Sequence, residues 1–149
     1  EAMDCPISDV DGIVIGGHSD KGMLPLTRLA TRNSVRVSEF VSGERLNQVL
    51  EATKLGGATL TGMLGTSAWY APGAAVSALV HSISCDQNKM FPCSVMLDGE
   101  YGLTDLCIGV PVILGRNGVK KIVELDLNDV EIQKLNESAE GVKKTNGLL

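Results

Sequence analysis

Between Cys93 and Leu125 two hairpin signals follow one another, and nothing else in the chain restricts its fold as strongly. The apolar run CSVML (93–97) ends in Asp98-Gly99, a pair that accepts the positive φ angles of a tight turn. LCIGVPVIL (106–114) then leads through Arg116-Asn117-Gly118 into VKKIVEL (119–125), a second hairpin. Strands joined by short turns pair antiparallel, so this stretch predicts an antiparallel sheet.

The remaining segments build around it. Ile13-Val14-Ile15, between Gly12 and Gly16-Gly17, reads as a short buried strand with His18 at its exit. LPLTRLAT (24–31) and VRVSEF (35–40) read as two more strands, with Asn33-Ser34 as the turn. From Glu44 the period changes: Leu46, Val49, Leu50, Thr53, Gly57, Leu60 and Leu64 share one helical face. Ser42 is the candidate N-cap, without a capping box because Arg45 stands at the third position. Gly56, Gly57 and Gly62 inside this helix each cost about 1 kcal/mol relative to alanine, which implies a kink or the close approach of another backbone. A second helix is predicted from Pro72 through Ile83. Asn128 with Glu131 predicts the start of a last helix, with Ile132, Leu135, Ala139 and Val142 as its apolar face. The predicted class is α+β, with no repeat and no low-complexity linker.

With 149 residues, 44% of them hydrophobic, the chain is long enough for one core. A net charge of −5, with lysines and arginines dispersed, argues against a nucleic-acid surface. No apolar run approaches the roughly 20 residues of a membrane span, since glycines and Pro72 interrupt the longest one. No secretory signal opens the chain, and it starts without methionine, as if inside an element, so it reads as a piece of a longer or processed protein. Cys5, Cys85, Cys93 and Cys107 lack metal-ligand spacing, so no metal site is predicted. Reduced, buried thiols are expected rather than two disulfides, which implies the cytoplasm or an organelle matrix.

Two stretches carry candidate chemistry. In VIGGHSD (14–20) one of only two histidines follows a strand end through two glycines, with Asp20 two residues on. A lone histidine is more often structural, but one set free on a glycine turn at a strand exit is placed to exchange a proton. The same turn lacks the GxGxxG spacing of a phosphate loop. In GTSAWYAPGAAV (65–76) the only tryptophan stands beside a tyrosine among small residues. It reads either as a helix–helix loop whose aromatics cap the core, or as a pocket wall with room for a ligand at Ser67 and Ala68. His81 lies on the second predicted helix with no acidic residue to orient it, and reads as a surface or interface residue.

These pieces, together with MLPLTRLAT, ATKLGGATLTGMLGTSAWYAPGAAV, PCSVMLDGEYG and CIGVPVILGRNGVKKIVEL in this order, resemble the C-terminal, substrate-binding half of the lactate/malate dehydrogenase family, of its malate dehydrogenase type. The resemblance covers essentially the whole chain, 1–149, as one catalytic domain. It implies an oxidoreductase of the tricarboxylic acid cycle that interconverts malate and oxaloacetate with NAD. His18, matching the histidine of the family's GxHGD motif, would be the general acid–base. Gly17, Ser67 and Ala68 would contact substrate, and His18 and Pro72 the nicotinamide end of the cofactor. A histidine's ordinary pKa of about 6.5 suits proton transfer in both directions near neutrality. The implied partners are the chain's own N-terminal domain and further copies in a homo-oligomer, with no nucleic acid and no membrane. The glycine-rich helix from Glu44 is a candidate interface element.

Two departures qualify the resemblance. Ser19 replaces the glycine that usually follows the histidine, which is costly if that position needs positive φ. The dinucleotide-binding domain, with the aspartate that orients the histidine and the arginines that grip substrate, has no counterpart here, so this chain alone is expected to be inactive. A lactate dehydrogenase C-terminal domain is the second reading, and a non-catalytic oligomerisation module the third.

Overall fold

The computed structural model describes residues 2–148. Its centre is the long strand β7 (Thr104–Gly115), in which Leu106, Ile108, Val110, Val112 and Leu114 alternate inward and are buried. One edge of β7 takes β6 (Lys89–Asp98) in antiparallel register, Lys89 opposite Leu114 and Ser94 opposite Gly109. The other edge is shared by β2 (Val14–Gly16), which meets it at Gly16 opposite Gly109, and β8 (Gly118–Ile122). β3 (Met23–Pro25) extends the sheet beyond β2, giving five strands. A smaller sheet of two-residue strands, β1 (Val10–Asp11), β4 (Thr31–Arg32) and β5 (Val35–Arg36), flanks it.

Three helices follow from local signals. α1 (Gly43–Leu64) is capped by Ser42, whose side chain accepts from the Arg45 amide at 3.3 Å, and ends at Gly65 with φ 68°. α2 (Tyr70–Ser84) begins two residues ahead of the predicted Pro72, which still falls in the first turn where a missing N–H is harmless. α3 (Asp129–Asn146) opens with the predicted capping box between Asn128 and Glu131. Leu135 and Ala139 are buried in the core with Val142 packed against it, whereas Ile132 is largely exposed.

Several expectations are corrected. The stretch 24–31 is not one strand: a 3-10 turn at Thr27–Leu29 separates β3 from β4, and another at Val37–Glu39 follows β5. The first turn carries Arg28 toward the start of α3, where it meets Glu131, a tertiary contact that overrides local β preference. Asp98-Gly99 does not close a two-residue hairpin, because a 3-10 turn at Glu100–Gly102 intervenes. There the Tyr101 amide donates to Glu124 at 2.8 Å, and its hydroxyl donates to the Val123 carbonyl and accepts from the Leu125 amide, each at 2.9 Å. Those bonds occupy the segment expected to continue β8, which ends at Ile122. Gly56, Gly57 and Gly62 have open space where a Cβ would stand, so no backbone among the described residues approaches them from outside the helix. The cysteines are free thiols but not buried: Cys5 and Cys93 are half-buried, Cys85 and Cys107 exposed. Cys107 sits on the outward face of β7, between inward Leu106 and Ile108, and burial pushes the Cys93 thiol pKa up.

α3 is fixed to the rest by an ion pair. The Arg28 Nε and Nη2 donate to the Glu131 carboxylate at 3.2 and 2.9 Å, and Nη2 also donates to the Asp126 carbonyl at 2.7 Å. Glu131 is buried, and the Arg28 guanidinium holds its carboxyl below the usual carboxylate range, against the opposing effect of burial. With the folded pKa depressed, the stabilisation is present above the unfolded value and is lost as pH falls through the folded one. Glu131→Gln is therefore expected to lower stability at neutral pH by about 1–2 kcal/mol, allowing for the water around half-exposed Arg28. Thermal melts at neutral and acid pH check this, since the gap between parent and variant should close in acid. A gap that ignores pH would refute the charge-based account.

Candidate functional site

His18 stands on a loop whose ends are drawn together by the sheet. β2 leaves the core at Gly16 and β3 returns at Met23, its partner in register. The Gly17 amide donates to the Gly22 carbonyl at 3.1 Å and closes the loop. Inside it, the Ser19 carbonyl accepts from the Gly22 and Met23 amides at 3.1 and 2.9 Å. Glycine is required where the turn is tightest: Gly16 has φ +95°, and a Cβ there would lie 2.3 Å from the Gly22 carbonyl oxygen.

Ser19, the departure from the family glycine, fits this geometry. It does not adopt positive φ, and its hydroxyl accepts from the Gly22 amide at 2.9 Å, a bond that glycine would lack. Asp20, expected to shape the loop, is exposed and makes no side-chain hydrogen bond among the described residues, so Ser19 fills that role.

A second tie arrives from α3. Ser138 Oγ accepts from the Gly17 amide at 2.8 Å and donates to the Gly22 carbonyl at 2.8 Å. The loop and α3 form the two walls of a shallow cleft of about 410 Å³, with Gly17, His18, Ser19 and Lys21 on one side and Glu137, Gly141, Val142 and Asn146 on the other. The imidazole of His18 is exposed and makes no hydrogen bond or ion pair among the described residues. Such a ring is free to take a proton from, or give one to, a molecule in the cleft.

Of the other candidates, Gly17 lines this cleft, while Ser67, Ala68 and Pro72 do not. They lie at the α1–α2 junction, Ala68 half-buried and Ser67 and Pro72 exposed, beside exposed Trp69 and Tyr70. The aromatics therefore do not cap the core of this chain. His81 is exposed on α2, its Nδ1 3.6 Å from the Cys85 sulfur. Ser138 escaped the sequence reading. Its signal was a serine on the apolar face of α3, three residues from Leu135 and four from Val142. Among the described residues no three His, Cys, Asp or Glu side chains group as a metal site, and no helix is long and apolar enough to cross a membrane.

A glycine-turn histidine at the rim of an antiparallel sheet, tied down by the last helix, defines an α+β domain with an exposed imidazole beside a cleft. The chain belongs to the lactate/malate dehydrogenase family, as its alpha/beta C-terminal domain, with residues 1–146 matched. It is 59% identical over 149 residues to a malate dehydrogenase of Bacteroides thetaiotaomicron, covering 100% of this chain and 48% of the relative. The malate dehydrogenase of Cryptosporidium parvum superposes with a TM-score of 0.93 at 33% identity, over 96% of this chain and 47% of that one. A lactate dehydrogenase from Eimeria maxima, solved with NADH and oxamate, also reaches 0.93, at 35% identity, over 99% of this chain and 47% of that one. The chain thus spans about half the length of the relatives it matches.

Proposed function

We propose that this chain is the catalytic half of an NAD-dependent malate dehydrogenase and that His18 is its general acid–base. The observation that carries the reading is an exposed imidazole, without a hydrogen-bond partner among the described residues, beside a cleft on a loop tied at both ends. In malate oxidation neutral His18 takes the hydroxyl proton, and in the reverse direction its imidazolium returns a proton to the carbonyl oxygen of oxaloacetate. The hydride acceptor would be supplied by NAD held beside His18 and Pro72.

The donor set fits the reacting end of that cofactor only. His18 and Pro72 are the residues that would contact it, and there is no glycine-rich phosphate loop for its pyrophosphate. That task, and the gripping of the substrate carboxylates, fall to an N-terminal domain. Gly17, Ser67 and Ala68 complete the substrate wall, and the small side chain at 68 suits a dicarboxylic substrate. Ser67 and Ala68 lie at the α1–α2 junction, outside the cleft lined by Gly17 and His18, and the second domain would complete the site around them.

The long helices support such partners. No residue of α1 is buried, and Val49, Leu55, Leu60 and Met63 on it, with Trp69 and Tyr70 beyond, are exposed. We assign these faces to contacts with the N-terminal domain and with a second copy of the protein. Exposed, unpaired Cys85 and Cys107 support a reducing, cytoplasmic setting. The likeness to the Eimeria maxima lactate dehydrogenase keeps pyruvate as the competing substrate.

The deciding assay follows NADH oxidation by the full-length protein with oxaloacetate and with pyruvate. Oxaloacetate is expected to lead by about 100-fold or more in kcat/KM, the discrimination available to a site that pairs a second carboxylate. A pyruvate preference makes it a lactate dehydrogenase, and turnover of neither substrate makes it a non-catalytic module. Residues 1–149 alone are expected to turn over neither.

A further inference from the structure

We propose that Ser138 is a positioning residue for His18: one hydroxyl on α3 sets the geometry of the loop that aims the imidazole. The inference rests on the acid–base reading of His18.

The hydroxyl bridges both ends of the loop, accepting from the Gly17 amide and donating to the Gly22 carbonyl, each at 2.8 Å, across more than a hundred residues of sequence. The two backbone groups are already paired with each other at 3.1 Å. Neither would be orphaned without Ser138, so satisfying buried polar atoms does not explain the serine. Packing does not explain it either. Ser138 is 7% exposed on a face whose other members are Leu135, Ala139 and Val142, where alanine would avoid placing a hydroxyl out of water. What the hydroxyl adds is a second tie on the same two atoms, from a different element, which reduces the hinge freedom that a single bond leaves. His18 is the residue after Gly17, so that freedom would be passed to the imidazole.

α3 is itself indexed to the sheet. Glu131, seven residues earlier and on the same face, is held by Arg28 from the segment after β3. The helix is therefore held at two points, by Arg28 just beyond β3 and by the histidine loop between β2 and β3. Val142, one turn further, supports the contact: a Cβ on Gly17 would come within 3.1 Å of its Cγ2.

The test uses the full-length enzyme with Ser138→Ala, Ser138→Cys and His18→Asn. In Ser138→Ala, kcat with oxaloacetate is expected to fall about 10- to 100-fold, the scale of a small misplacement of a reacting group. KM should stay within about threefold of the parent, because Ser138 borders the cleft but is 7% exposed and its hydroxyl is engaged by Gly17 and Gly22. The pH-dependent limb that His18→Asn abolishes should persist, since the base is still present. Ser138→Cys, of similar shape but a weak hydrogen-bonder, should fall between alanine and parent. A folded Ser138→Ala with parental kcat and only a lower Tm overturns the proposal, as does loss of the pH limb. If the alanine variant does not fold, parental kcat in Ser138→Cys overturns it instead. If His18→Asn keeps full activity, the acid–base reading fails, whatever Ser138 does. An inactive His18→Asn beside a fully active Ser138→Ala defeats this inference alone.

Discussion

Full-length enzyme carrying His18→Asn is expected to lose about 10²- to 10⁴-fold in kcat/KM for oxaloacetate, the range attributable to a positioned general acid–base. Asparagine keeps a polar group of similar reach but cannot titrate, so only the proton transfer is removed. The fold should not notice. The His18 side chain is exposed and makes no hydrogen bond among the described residues, and surface substitutions of that kind move stability by no more than about 0.5 kcal/mol. An unchanged Tm beside the lost turnover would separate chemistry from folding. Full activity in the variant would return the glycine turn to a structural role.

The largest expected effect on stability lies two residues upstream. Gly16→Ala asks an L-residue to hold φ +95° and places its Cβ 2.3 Å from the Gly22 carbonyl oxygen and 3.2 Å from Ser138 Oγ. The obstructing atom at 2.3 Å is backbone and cannot swing aside. Gly16 is also buried, opposite Met23 on one side and Gly109 on the other, so the strand has no room to retreat. Gly109 tightens this further, since its own Cβ position lies 2.7 Å from the Gly16 carbonyl oxygen. Left-handed strain and the clash together should cost about 3–5 kcal/mol, a fall in Tm of about 10 °C. Gly12→Ala is the contrast: its Cβ would meet nothing within 4 Å, so its Tm should match the parent. Equal Tm values for the two variants would show that the loop does not need glycine at 16.

The site was legible in part. The glycines before His18 read as a flexible turn that frees the histidine, whereas the structure holds the backbone tightly at Gly16, with φ +95° and the Gly22 carbonyl oxygen 2.3 Å from a Cβ position. Ser19 is costly only where its position needs positive φ; φ there is not positive, and the hydroxyl joins the loop's own bonding. The aromatic stretch 65–76 allows two readings by residue type alone, and the structure leaves Trp69 and Tyr70 exposed, off the core of this chain. The glycines of α1 likewise face open space rather than a backbone among the described residues.

The sequence by itself determined whatever rests on neighbours within a turn or a pleat. That includes the Ser42 and Asn128–Glu131 caps, the period-2 burial along β7, the Asn33-Ser34 turn with φ of 47° and 70°, and the exit of His18 from a glycine-bounded strand. Those interactions recur at fixed spacings, so residue order is enough to reveal them. Only the tertiary structure decided the break at Thr27–Leu29, the opening of the Asp98-Gly99 turn around Tyr101, and the arrival of Ser138 between Gly17 and Gly22. Each is a hydrogen bond between groups tens to more than a hundred residues apart, formed only once the core has brought its elements together.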